Sequence, residues 1–331
     1  MPPNSLNVLD LEQPVADLEA QIESIKQLTA DEGEDRSEEI AALERHRDRL
    51  LEQIFMRLTP WDKTLLARHP RRPYTLDHAR LIFDDYTELH GDRLFGDDKA
   101  MVGGIATLNN RPVMFIGHQK GRDLKERQLR NFGSAKPEGY RKALRLMKLA
   151  EKFNRPIISF VDTPAADCSV GAEERGISEA IARNLMEMVR IRVPIVVVVI
   201  GEGGSGGAIG IAVGDRALML EYSIYSVIPP EGCAAILWRD ASKAPAAAAA
   251  LKLTAEDALR LEVIDEIVRE PLGGAHRDFE QTARNVKDAL VRSLAALSKL
   301  KPDTLVSKRY DKFRAMGQYI DLSRVSDSVI G

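Results

Sequence analysis

Cysteine is nearly absent: Cys168 and Cys233 stand 65 residues apart in a chain of 331. Neither a CxxC metal-ligand pair nor a disulfide framework can be written from them, and no metal site is expected. Such scarcity suits a reducing compartment, so the cytosol is the expected home. Long apolar runs are missing as well. The longest, residues 193–200, falls far short of the roughly 20 residues that span a bilayer. Residues 1–13 show neither the basic nor the apolar region of a secretory signal, so none is expected there. No Gly-x4-Gly-Lys-Ser/Thr stretch occurs, so a P-loop nucleotide site is not expected.

What is present is a soluble, core-forming composition. Apolar residues make up 44% and charged residues 29%, enough for a sizeable core under a hydrated surface. The length suits one main domain with helical additions. The expected division is 1–75 as a helical hairpin and basic linker, 76–270 as the core, and 271–331 as a C-terminal helix and tail. The net charge of −3 hides an uneven distribution. Residues 118–148 hold 10 Lys/Arg against 3 acids, either an anion-binding surface or a solvated helix face.

Leu11, Val15, Leu18, Ile22, Ile25 and Leu28 recur at helical spacing, as do Ile40, Leu43, Leu50, Ile54 and Leu58. Asp31-Glu-Gly-Glu-Asp35 breaks them into an antiparallel pair whose role is packing or assembly. Arg68-His-Pro-Arg-Arg-Pro73 reads as a basic linker. From about residue 100 the period changes. Residues 100–108 and 112–118 flank Asn109-Asn110, a two-residue hairpin signal. Then follow a helix (137–153), a strand (156–162), a helix (172–190) and a strand (194–200). The β-branched run Ile195-Val-Val-Val-Val-Ile200 suits a strand buried on both faces of a parallel sheet. A strand pair near 217–228, further helix–strand alternation, a last helix (278–300) and a weakly patterned tail complete the chain. The class is α/β: stacked ββα units, with a doubly wound sheet fitting nearly as well.

The most informative stretch is Gly201-Glu-Gly-Gly-Ser-Gly-Gly-Ala-Ile-Gly210, between a strand and a helix. As Gly201-x-Gly203-x-x-Gly206 it satisfies the dinucleotide fingerprint, with Glu221 placed as a ribose-binding acid. Against this, the apolar, small-residue run that follows (208–213) predicts a helix buried all round rather than one with a polar outer stripe. As Gly203-x-Ser205-x-Gly207 it satisfies a nucleophile elbow, with His276 downstream. With six histidines in the chain, that partner is weak support. As a glycine-lined helix start it offers backbone N–H groups that can hold a developing oxyanion, aided by the helix dipole. The remaining reading is a tight turn that merely needs glycines.

Further motifs surround this loop. They are Met101-Val-Gly-Gly-Ile-Ala, Arg111-Pro-Val-Met-Phe-Ile-Gly-His-Gln-Lys-Gly-Arg122, and Pro137-Glu-Gly-Tyr-Arg-Lys-Ala-Leu-Arg-Leu-Met147. Val170-Gly-Ala-Glu-Glu-Arg-Gly-Ile-Ser-Glu-Ala-Ile-Ala-Arg-Asn-Leu185 and Pro271-Leu-Gly-Gly-Ala-His-Arg277 complete the set. Together, from about Leu6 to Tyr319, the chain resembles the carboxyltransferase alpha subunit of multi-subunit acetyl-coenzyme A carboxylase.

The resemblance implies a crotonase-like fold and carboxyl transfer from carboxybiotin, carried on a separate biotin carboxyl carrier protein, to acetyl-coenzyme A. The product would be malonyl-coenzyme A, for fatty acid synthesis. It implies a beta subunit in an α2β2 assembly, with biotin carboxylase in the same complex and the family's zinc ribbon on the beta subunit. Neither a membrane nor a nucleic acid is expected as a partner, and the plastid stroma is the alternative to bacterial cytoplasm. Gly206, Gly207 and Ala208 are then the candidate oxyanion residues, with Gly203, Gly204, Ala165 and Ala166 lining the substrate. Lys120 and Arg122 are the candidate attractors of coenzyme A phosphates. No acid/base pair stands out, and the Met147-Lys148 dipeptide sits in a helical pattern rather than a biotin carrier's hairpin. One departure matters. The family pattern resembles Asp-Thr-Pro-Gly-Ala-aromatic-Pro-Gly, whereas this chain reads Asp162-Thr-Pro-Ala-Ala-Asp-Cys-Ser169. Ala165 would be strained if its backbone were left-handed, and Asp167 would repel an anionic substrate.

Overall fold

The computed structural model describes residues 8–32 and 35–317. Gly33 and Glu34 of the expected helix break, and Leu6 and Tyr319 at the ends of the resemblance, lie outside the described residues. Helices α1 (Gln13–Glu32) and α2 (Ser37–Phe55) lie on either side of that break. Val15, Leu18, Ile22 and Ile25 of α1 are buried, while α2 buries only Leu51. The hairpin's buried stripe therefore lies mainly on α1, which packs along α2. Helix α3 (Pro60–Ala67) starts at a Thr59–Asp62 capping box, and α4 (Thr75–Ile82) follows.

The stretch between α3 and α4 is not a linker. Arg72 is 1% exposed and donates to the Ile200 carbonyl (2.6 Å), to Ser223 and to Glu270. A guanidinium so deeply buried must find acceptors on every side, and those acceptors come from elements far along the chain. A basic hexapeptide looks like a solvated tether in sequence because its partners are 128 to 198 residues away.

Strands β1 (Asp85–Glu88), β2 (Met101–Leu108) and β3 (Arg111–His118) form an antiparallel ribbon. Asn109 and Asn110 turn the β2–β3 hairpin with φ of 49° and 59°, the left-handed pair that a two-residue loop requires. Next come α5 (Leu124–Leu129), α6 (Pro137–Lys152), β4 (Ile157–Thr163), α7 (Val170–Glu174), α8 (Ile177–Arg190) and β5 (Ile195–Gly204). The expected helix 172–190 is split by Gly176 at φ 77°. Then follow α9 (Ser205–Ile209), β6 (Arg216–Leu220), β7 (Ile224–Ser226), α10 (Pro230–Trp238), α11 (Ala244–Leu251), α12 (Ala255–Arg260), β8 (Glu266–Val268), α13 (Phe279–Leu297) and α14 (Pro302–Ala315).

One eight-stranded sheet runs β1-β2-β3-β4-β5-β6-β8, parallel from β3 onward. The expected strand pair near 217–228 does not pair with itself. β6 lies beside residues 196–199 of β5 and β7 beside residues 202–204, one after the other along the same neighbour. Alternation explains how a wholly apolar strand is used. Ile195, Val197 and Val199 pack with α6 and α8, while Val196, Val198 and Ile200 pack with α4 and α13.

Residues 302–315 of the tail form a helix, contrary to its weak pattern. α14 buries Leu305 and Arg309, and Arg309 is 1% exposed. Its guanidinium donates to the carbonyls of Met188, Ile191 and Val193 and grips Asp215 at 2.7 and 3.0 Å. An apolar-periodicity search passes over a helix whose anchor is an arginine. No helix among the described residues is long and apolar enough to cross a membrane.

Candidate functional site

The carboxyl ends of β3, β4 and β5 converge, the usual place for a ligand in a parallel sheet. There the chain places His118, Asp162 and Glu202, and a register irregularity between Val161 and Thr163 re-aims Asp162. Asp162 Oδ1 accepts the Glu202 amide (2.9 Å) and the Lys120 ammonium (2.7 Å). Arg68 completes the chain of charges, reaching Glu202 at 2.8 Å and Glu231 at 2.6 Å. A side chain on Gly201 would run into that Asp162 carboxylate, which explains the glycine. Burial alone would lower the Lys120 pKa, but Asp162 and Glu202 outweigh it and hold the ammonium above its usual value.

Lys120 is therefore paired with two carboxylates of its own chain. Arg122 is committed too: it pairs with Asp77, donates to the Pro70 and Arg72 carbonyls and lies 4.4 Å over the Tyr74 ring. The expected anion-binding surface at 118–148 is largely neutralised by acids, several from outside the stretch, including Asp97 for Lys142 and Glu187 for Lys148. Counting charges along the chain cannot see partners contributed by other elements.

The glycine loop differs from the expected shape in an informative way. β5 continues through Gly204, and the turn is a single residue, Ser205, at φ 48°. Helix α9 is five residues long, Ser205–Ile209, and Ile209 is exposed, so the expected 208–213 helix buried on every face is not observed. So short a helix has little macrodipole, and what it offers a ligand is its local amides. Its first-turn donors, the amides of Gly206 and Gly207, have no intrahelical acceptor and no partner among the described residues. Beside them runs the loop after β4. A Cβ on Gly207 would stand 2.5 Å from the Ala165 carbonyl carbon and 2.6 Å from the Ala166 nitrogen, and one on Gly204 would collide with the Pro164 carbonyl. The two backbones thus touch, which only glycine at 204 and 207 allows. Gly203 is similarly pressed by the Tyr225 ring, whereas a Cβ on Gly206 would make only an ordinary contact with Ile181, at 3.7 Å.

The altered loop is accommodated without strain at Ala165, which is not among the residues with positive φ. Asp167 closes its own turn by accepting the amide and hydroxyl of Ser169, and Ser169 in turn caps α7. The expected left-handed penalty at 165 is absent.

Anchors below α9 escaped the sequence reading. The carbonyls of α9 and of the residues just after it need donors, and three side chains supply them: Tyr140 Oη to Gly207 O (3.1 Å), Asn184 Nδ2 to Gly210 O (3.0 Å) and Ser159 Oγ to Ile211 O (2.6 Å). Asn184 was detectable as a polar residue on the Ile177, Ala180, Met188 stripe of α8.

Two neighbouring groups are each held in one protonation state. Burial and the Lys120 charge push His118 down to about 3, and burial holds the Tyr140 hydroxyl well above its ordinary value. A serine nucleophile would need a base, but Ser205 has no hydrogen-bond partner among the described residues. His276 is bonded to Glu12 at 2.8 Å. The dinucleotide reading also fails, since Gly201–Gly204 are strand and Glu221 is spent on Arg269 and the Glu270 amide.

Among the described residues, the one cluster close enough to share a metal ion is Glu12, His69 and His276. His69 Nδ1 accepts the Arg71 amide at 3.1 Å, which leaves the proton of the neutral ring on Nε2. Arg277 stands 3.8 Å from Glu12, and both features oppose a cation. The cluster instead clasps the N-terminal segment to the core. Burial alone would raise Glu12, but His276, His69 and Arg277 hold it below the usual carboxylate range.

Residues 8–317 match the family described as acetyl co-enzyme A carboxylase carboxyltransferase-like. The chain belongs to this family. It is 58% identical to the acetyl-coenzyme A carboxylase carboxyl transferase subunit alpha of Geobacter metallireducens, over 95% of this chain and 98% of that one. It is 55% identical to the subunit of the same name from Bordetella avium, over 94% and 97%. Among solved structures, transcarboxylase 12S aligns with a TM-score of 0.55 at 18% identity, over 68% of this chain and 41% of that one. A Pseudomonas malonate decarboxylase hetero-tetramer in complex with coenzyme A aligns at 0.54 and 18%, over 65% and 86%. These two likenesses show the crotonase-like fold, and the relatives show that the chain is a carboxyl transferase alpha subunit.

Proposed function

We propose that this alpha subunit works with a beta subunit, as an α2β2 assembly, to carboxylate acetyl-coenzyme A to malonyl-coenzyme A. The observation that carries the reading is the pair of amides at Gly206 and Gly207, unpartnered among the described residues and held against the Ala165–Ala166 backbone. Carboxybiotin, brought by a carrier protein from a biotin carboxylase, supplies the carboxyl group and afterwards a basic urea that can take the α-proton of the thioester.

The residues suit that chemistry. Carboxyl transfer develops negative charge on an oxygen, of either the thioester enolate or the biotin urea, and fixed backbone donors stabilise either one. Removing one such donor typically costs about 3–4 kcal/mol of transition-state stabilisation. Lys120, Asp162, Glu202 and Arg68 hold the donor loop's origin rather than meeting substrate. Exposed Val227, Ile236 and Leu237 give α10 and its approach an apolar surface, which supports a protein partner. The chemistry belongs to the cytoplasm, or to a plastid stroma.

The test is to combine the chain with a beta subunit and carboxybiotin and to offer acetyl-, propionyl- and longer acyl-coenzyme A. The reading expects malonyl-coenzyme A as the main product. A clear preference for another acyl group would reassign the substrate while keeping the reaction.

A further inference from the structure

Resting on that reading, we infer that Tyr140 is a positioning residue, which fixes the direction of the Gly206 and Gly207 amides by gripping α9 from its opposite end. In a helix the amides point one way along the axis and the carbonyls the other. Whatever pins the carbonyls of a one-turn helix therefore aims its amides. Residues 205–209 cannot hold their own orientation, because one turn makes too few internal bonds to be stable alone.

Tyr140 acts on this turn in two ways. Its hydroxyl donates to Gly207 O at 3.1 Å, on one of the residues whose amide is in question. Its ring fills the space beside Gly210, where a Cβ would stand 2.6 Å from the ring. The side chain is fully buried in a helix with nine buried residues, so it has no freedom to follow a wandering loop. Its own backbone is tied to the same turn, since Asn184 Nδ2 bridges Tyr140 O and Gly210 O at 3.0 Å each. Ser159 closes the set on Ile211 O. The phenol's high pKa keeps it a donor at any working pH, which suits a carbonyl that can only accept.

Tyr140→Phe isolates the claim, because it keeps the ring against Gly210 and deletes only the donor. In the complex with the beta subunit, kcat for carboxyl transfer should fall about tenfold or more. KM for the acyl thioester should stay within about twofold, and co-elution with the beta subunit should be unchanged. A buried phenol with a merely structural role would lower the melting temperature or the assembled fraction without this split between kcat and KM. Should Tyr140→Phe not assemble, Ser159→Ala decides, since it cuts the third anchor alone and should lower kcat several-fold. A wild-type complex that transfers no carboxyl group would overturn the functional reading. An active wild type with either variant assembled and within twofold of its kcat would overturn the positioning role and leave that reading intact.

Discussion

Replacing Gly207 by alanine should nearly abolish carboxyl transfer while leaving the subunit folded. The added methyl would stand 2.5 Å from the Ala165 carbonyl carbon and 2.6 Å from the Ala166 nitrogen. Both are backbone atoms, so no rotamer change relieves the contact. Ordinary carbon contacts begin near 3.4 Å, so α9 and the 164–166 loop must separate by about 1 Å, a displacement that can cost about 10²-fold in rate. The loop resists this motion, because Thr163 Oγ1 holds the Ala165 carbonyl at 2.7 Å and Asp167 N is tied to Ala135 O at 2.9 Å. A kcat loss of about 10²- to 10³-fold is expected, the size of one lost oxyanion donor. The assay is malonyl-coenzyme A formation at saturating substrates in the complex, with the melting temperature as a control for folding. Ser205→Ala is the contrasting variant, expected to stay within about threefold, since its hydroxyl has no partner among the described residues. A Gly207→Ala enzyme with a third or more of the wild-type rate would refute the argument. A dead Ser205→Ala beside it would point to nucleophilic catalysis.

His78 is fully buried, both ring nitrogens lack hydrogen-bond partners among the described residues, and burial with the Arg72 charge pushes it down to about 3. Unfolded, it takes up a proton below about 6.5, so stability is whole above that pH and is lost at about 1.4 kcal/mol per unit as pH falls toward 3. His78→Phe should therefore gain about 2 kcal/mol relative to wild type between pH 7.5 and pH 5, and a pH-independent difference in denaturant melts would count against this. Arg309→Met should cost about 3–5 kcal/mol, because it strips a buried Asp215 of its partner; a loss under 1 kcal/mol would show that α14 is not held as described. The combined change Ala165→Gly, Asp167→Tyr, Cys168→Pro and Ser169→Gly should alter the rate by less than about threefold. It should also cost about 1 kcal/mol through the lost α7 cap. A tenfold faster enzyme would show that Asp167 disturbs the site after all.

Local signals were legible from sequence. The Asn109-Asn110 turn, the two-faced β5 and the two N-terminal helices each write their period or turn chemistry into neighbouring residues. What could not be read depends on distant partners. Lys120 looks like a free cation until Asp162 is folded against it, Arg72 looks like a tether until Glu270 arrives, and α14 hides behind a buried arginine. The glycine loop stands out in the sequence, but its geometry does not. The left-handed residue is Ser205, and Gly207 is glycine because a second backbone touches it. No spacing rule distinguishes a glycine needed for φ from one needed for contact.

The most direct test of the account is reconstitution from separately purified subunits. This chain offers unpartnered loop amides but no poised base, so the pure chain with carboxybiotin and acetyl-coenzyme A should form no malonyl-coenzyme A above background. Titrating in a beta subunit should bring activity that saturates at one beta per alpha. Robust product from the chain alone, or none at any beta-subunit ratio, would contradict it.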